Sequence, residues 1–172
     1  MRSAHAVLLA TVAISFAALA HGPTRQKVTE QVEIKAAPAK VWDGIKDFNG
    51  LPTWHPAVAS STATDGSKAG SVRTLTLKSG GKIIEELESY DDATMTVKYR
   101  MKEGVLPVTN YSSTLAVRAG AGGNAIVEWR GALYRGYPNN DPPPDQNDEA
   151  AVKAITGVYQ SGLANLKVIL EK

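Results

Sequence analysis

The sequence predicts an α+β fold in which a curved antiparallel sheet wraps one long carboxy-terminal helix. Three observations carry it. Between Val72 and Tyr134 short runs of alternating apolar and polar residues succeed one another across turn-forming glycines, aspartates and prolines. After a proline-rich connector, apolar residues recur at spacings of three and four through to Leu170. Ahead of both lie one further strand pattern and a short amphipathic helix. A chain of 172 residues has room for one such domain.

The first 20 residues read as a secretory signal peptide. Met1-Arg2 supplies the basic start, Ala6 to Ala20 an apolar run too short to span a bilayer comfortably, and Ala18-Leu19-Ala20 the small residues at a cleavage site. Cleavage after Ala20 leaves 21–172 as a single domain outside the cytoplasm, with the periplasm the natural compartment and no membrane association after processing. In Val28 to Ile34, Val28, Val32 and Ile34 share one parity, as a half-buried strand requires. Pro38 suits the first turn of a helix whose apolar side is Val41, Trp42, Ile45 and Phe48. Gly50, Pro52 and Pro56 then leave at most a second brief helical turn before a polar Ser60-Ser61-Thr62 stretch.

The strands that follow are Val72 to Leu77, Lys82 to Tyr90, Thr94 to Met101, Tyr111 to Val117 and Ala125 to Tyr134, joined by turns short enough to make a meander. Met95, Val97, Tyr99 and Met101 share one face; so do Tyr111, Leu115 and Val117, and again Val127, Trp129 and Leu133. The opposite faces are mostly polar, so one side of the sheet is wet. Asn139 to Asp145, with three consecutive prolines, is a stiff connector. Asn147 or Asp148 caps the last helix, whose stripe is Val152, Ile155, Tyr159, Leu163, Leu166 and Leu170. Gly157 and Gly162 are expected to let that helix approach the sheet or bend over it, since each otherwise costs about 1 kcal/mol relative to alanine.

Charge and composition exclude several classes of function. With 19 Lys and Arg against 17 Asp and Glu and no basic tract, the chain lacks the concentrated positive surface that nucleic acid requires. Zero cysteines remove disulfides, thiolate metal sites and cysteine nucleophiles. Neither the single histidine well inside the domain nor the acids Asp141, Asp145, Asp148 and Glu149 form a metal-site pattern, so no metal or other cofactor is expected. Asn110-Tyr111-Ser112 matches a glycosylation sequon, read here as chance within a strand.

Several inward positions hold groups that a dry core would not select. Arg73 shares parity with Leu75 and Leu77, and Glu85 with Leu87, while Tyr99 and Tyr111 bring hydroxyls that need partners. An odd turn at Ser79-Gly80 puts Arg73 and Glu85 on one face, within pairing distance; an even one separates them. One reading is a polar anchor in an apolar pocket lined also by Trp54, Trp129 and Tyr159, holding the head group of a small amphipathic ligand. The other is a structural ion pair at the core's edge. His55, between Trp54 and Pro56 at the expected cavity mouth, is either a general base or part of a fixed turn, and no second acid or base stands beside it. No catalytic residue is assigned.

The ordered set Ala37 to Trp42, Trp54-His55-Pro56, Gly70 to Leu75, Ile84 to Leu87 with Tyr90-Asp91, Pro107 with Asn110-Tyr111, and Val127-Glu128-Trp129 resembles the START/Bet v 1-like (SRPBCC) superfamily. Within it the chain is similar to the polyketide cyclase/dehydrase-like branch. The resemblance implies a helix-grip fold over nearly the whole of 21–172 and a cavity between helix and sheet. Tyr134 to Pro144, and Asn147 to Ala151 leading to Tyr159 to Leu163, look like the MxaD-type periplasmic accessory proteins of methanol oxidation. That narrower likeness implies a non-enzymatic partner of methanol dehydrogenase and its cytochrome c acceptor. A carrier of a small hydrophobic ligand, or a cyclase-like enzyme, stays open beside it.

Overall fold

A computed structural model describes residues 22–172; the segment expected to be a signal peptide lies outside the described residues. Strand β1 (Gln26–Ile34) leads into helix α1 (Pro38–Ile45), with Pro38 in its first turn, and a 3-10 turn at Leu51–Thr53. Six further strands follow: β2 (Val58–Ala63), β3 (Val72–Leu77), β4 (Lys82–Asp91), β5 (Thr96–Gly104), β6 (Val108–Ala119) and β7 (Ala125–Arg135). Helix α2 (Asp148–Leu170) closes the chain, its Asn147 side chain accepting a hydrogen bond from the Ala150 amide at 2.7 Å. This is the expected α+β helix-grip architecture.

The seven strands form one sheet in the order β1-β7-β6-β5-β4-β3-β2, every pair antiparallel. The meander is thus realised, and β1 joins it by pairing with β7, Val32 opposite Val127. Strand β2 corrects the sequence reading. Ser60-Ser61-Thr62 is the middle of an edge strand paired to β3, Ser61 opposite Leu75. It shows no clear alternation because an edge strand with an irregularity between Val58 and Ser60 buries little. Strand β6 also starts earlier than its pattern indicated. Its pairing with β7 slips between Thr109 and Ser112, and there Asn110 adopts a left-handed backbone (φ 47°) and breaks the alternation.

The concave face carries the core, with Ile34, Val41, Leu87, Val127, Leu133, Ile155 and Leu166 essentially sealed from solvent. Helix α2 lies against β1 and β7, and α1 reaches β6 and β7. Gly162 permits that approach: a Cβ there would come 2.7 Å from His55 Cδ2 and 2.9 Å from Trp129 Cζ3. Gly157 does not share this role, since nothing lies within 4 Å of its Cβ position and it faces solvent. Outside, the convex face bears a charged lattice in which Lys98 pairs with Glu88 at 2.8 Å and Arg100 and Lys102 flank Glu86 at 3.0 and 2.9 Å. No helix among the described residues is long and apolar enough to cross a membrane.

Candidate functional site

The β3–β4 turn settles the first question about the interior. Pairing is centred on Ser79, so Arg73 stands directly opposite Glu85 on the concave face. Both are buried, at 4% and 5% exposure, and Arg73 Nε and Nη2 each lie 2.7 Å from Glu85 Oε2. Arg73 Nη1 donates to the Phe48 carbonyl at 2.6 Å, and the guanidinium lies over the rings of Phe48 (4.2 Å) and Tyr99 (4.9 Å). The cation therefore ties the segment after α1 to strands β3 and β4. Its desolvation is offset by a carboxylate, a carbonyl and two π faces.

A second polar cluster runs under α2. Trp129 stacks on Tyr159 with centroids 4.5 Å apart and donates its indole N–H toward Ser113 Oγ (2.9 Å) and Tyr99 Oη (3.0 Å). Ser113 Oγ is 3.2 Å from the Arg130 carbonyl, which can only accept, so the serine proton goes there. Tyr159 must then donate to Ser113 across 2.9 Å, and Tyr111 to Tyr159 across 2.9 Å. The chain of hydroxyls has one direction. Burial lifts all three phenols out of the range in which they ionise: Tyr99 is pushed up to about 12, and Tyr111 and Tyr159 are also raised, chiefly by desolvation.

His55 is also held in one state. Nε2 lies 3.0 Å from the Val158 carbonyl and must donate, while Nδ1 accepts from the Ala57 amide at 3.2 Å. The ring is neutral with its proton on Nε2. Desolvation holds its pKa below the usual imidazole value against the raising effect of the Val158 bond, and the Arg73 charge lowers it further. Its edge meets Trp129 at 6.0 Å, and Trp54 packs on both rings.

These groups border a cavity of about 70 Å³ under the 3-10 turn, lined by His55, Arg73, Glu85, Tyr99, Tyr111 and Trp129 on its polar side. Its apolar wall includes Val58, Leu75, Leu77, Ile83, Leu106 and Val158. Six of the eight residues expected at a pocket thus share one wall. The other two sit elsewhere: Tyr159 is stacked behind Trp129, and Trp54 borders a separate void of about 10 Å³, the room of a single water. Trp54 Nε1 is buried with no hydrogen-bond partner among the described residues. Sequence reasoning missed Ser113, although it shares inward parity with Tyr111 and Leu115, and Gly131, where a Cβ would collide with the Tyr159 hydroxyl. A serine and a glycine at core-facing positions were the available signals. No cluster of three or more metal-ligating side chains occurs among the described residues.

Residues 25–171 match the family model described as polyketide cyclase / dehydrase and lipid transport. The chain belongs to this family. Among solved structures, the protein XoxI from Bacillus cereus is 34% identical, with a TM-score of 0.72 over 84% of this chain and 94% of that one. An uncharacterized protein from Bacillus thuringiensis is 32% identical, with a TM-score of 0.74 over 86% of this chain and 100% of that one. A Thermobifida fusca protein, 26% identical, aligns with a TM-score of 0.66 over 82% and 90% of the two chains. Comparison with curated proteins gives no match. Family members share the grip of sheet on helix, and with it the START/Bet v 1-like (SRPBCC) framework.

Proposed function

We propose that the protein is a periplasmic accessory factor of methanol oxidation, non-enzymatic itself, that assists a methanol dehydrogenase and its cytochrome c acceptor. The observation that carries this reading is how the interior polar groups are engaged. Arg73 is held by Glu85 and Phe48, the Tyr111 and Tyr159 hydroxyls are held in series to the Arg130 carbonyl, and both His55 nitrogens meet backbone groups. Groups so committed serve the fold, and the work falls to the surface. The segment that looks MxaD-like, Tyr134 to Pro144, is a shaped part of that surface. Arg135, buried at its base, donates from Nε to the Tyr137 carbonyl at 2.9 Å and from Nη2 to the Asn139 carbonyl at 2.8 Å, and its Nη1 faces Asp148 at 3.4 Å. The charged lattice on the convex face supplies the kind of patterned field that speeds protein encounter.

Adding the purified protein to methanol dehydrogenase and its cytochrome should raise the rate of cytochrome reduction at low salt, and the stimulation should fade as ionic strength rises. An unchanged rate with folded protein at every salt concentration would end this reading. Carriage of a small ligand is a second reading, favoured by the cavity against Arg73 and Glu85. At about 70 Å³ that cavity takes a handful of non-hydrogen atoms, well short of the 300 Å³ or more of a pocket for a drug-sized molecule.

A further inference from the structure

Arg73 approaches Glu85 from one side. Both of its contacts fall on Oε2, and Oε1 accepts no hydrogen bond from any described residue, although Glu85 lines the cavity. Around it His55 is engaged by Val158 and Ala57, the Tyr111 proton by Tyr159, and the Tyr99 oxygen by the Trp129 N–H. The cavity therefore presents a strong acceptor to whatever enters, above a wall of aliphatic side chains. Its charge is already matched, because guanidinium and carboxylate compensate one another in a buried place. A charged guest would enter without a counter-ion and lose its hydration uncompensated. A neutral guest with a hydroxyl or amide proton would gain a charge-assisted bond and lose little.

We propose that the cavity is a site for a small neutral molecule that donates one hydrogen bond to Glu85 Oε1 and lays a short aliphatic body against Leu75, Leu77, Ile83, Leu106 and Val158. About 70 Å³ admits a body of a few carbons and excludes a lipid chain or a fused-ring polyketide. This rests on the ligand reading above and is independent of the accessory one. Leu106 belongs to the rim, beside Val105, whose methyl Cγ1 would lie 2.8 Å from a Cβ on Gly81 in the facing β3–β4 turn.

The test uses the folded protein with four probes of similar size in amide-resolved NMR titrations: n-butanol, methyl propyl ether, butyrate and n-butylammonium. Butanol should shift Leu106, Tyr111 and Val158 saturably, with the other three binding at least about tenfold more weakly. Glu85→Gln should weaken butanol about tenfold, and Leu106→Trp, which fills the rim, should abolish the shifts. If Glu85→Gln does not fold, the butanol and ether comparison and Leu106→Trp decide the matter without it. Ether binding as well as butanol, or a preference for butyrate or butylammonium, would overturn the donor assignment and leave a pocket. No saturable shift with any probe would overturn the site and the ligand reading together.

Discussion

His55 shows how one side chain can make the fold sensitive to pH. Its folded state needs a proton on Nε2 for Val158 and a bare Nδ1 for the Ala57 amide, so protonation sets two donors face to face. Because its pKa is held below the ordinary 6.5 or so, the unfolded chain takes up the proton first as pH falls. The stability contributed by neutral His55 is complete above about pH 6.5 and is lost as pH drops from there toward the depressed folded value. Denaturant midpoints should therefore fall between pH 7 and pH 5, and His55→Gln should flatten that slope; an equal slope in both proteins would refute the assignment. Tyr159→Phe acts differently, since it leaves Tyr111 without an acceptor inside the core and removes one of the two donors to Ser113 Oγ, the Trp129 N–H being the other. It should cost about 1–3 kcal/mol at all pH values in this range, read from the same melts.

Helix α2 separates its two glycines by sign. Gly162→Ala pushes a methyl into His55 and Trp129 and should destabilise, whereas Gly157→Ala meets open space on a helical backbone and should stabilise by about 0.5–1 kcal/mol. Leu163→Ala and Leu166→Ala, both buried, should each cost about 2–5 kcal/mol in chemical denaturation, with Lys153→Ala on the exposed side near zero. The helix stripe, the cap at Asn147 and six of the seven strands were legible because period and parity record burial directly. Strand β2 was not, for an edge strand buries too little to leave a period. The early start of β6 was hidden by the bulge at Asn110. At the site, parity placed Arg73 opposite Glu85 once the turn was known to be centred on Ser79, a geometry that only backbone conformation decides. Parity has no such hold on Trp54, which follows the 3-10 turn, where side-chain direction depends on the turn itself.

Across the whole molecule the grip is uneven, and the unevenness locates the cavity. Helix α2 covers β1 and β7, so that end of the sheet is closed by Ile155, Tyr159, Leu163 and Leu166. The β2 to β5 end is covered instead by the 3-10 turn and the loop that leads into it from α1, and is fastened at Arg73, whose bonds reach Phe48 on one side and Glu85 on the other. A lid held by one buried cation packs less completely than a helix, and the cavity lies beneath it. Local opening should follow the same division, because segments with fewer buried apolar contacts exchange amide protons at lower free energy. In native-state hydrogen exchange, β1, β6, β7 and the buried face of α2 should be slowest, while β2 and the β2-facing side of β3 exchange well before global unfolding. Arg73→Met should strand Glu85 in the core and cost about 3–5 kcal/mol, and Arg73→Met with Glu85→Leu should recover most of it, since the pair is replaced by apolar groups of similar volume. The double variant should keep the protected β1–β7 pattern unchanged. If it is no more stable than the single one, or if protection is lost evenly across the sheet, then the ion pair is not a fastener of one end, and the fold's two ends open as a single unit.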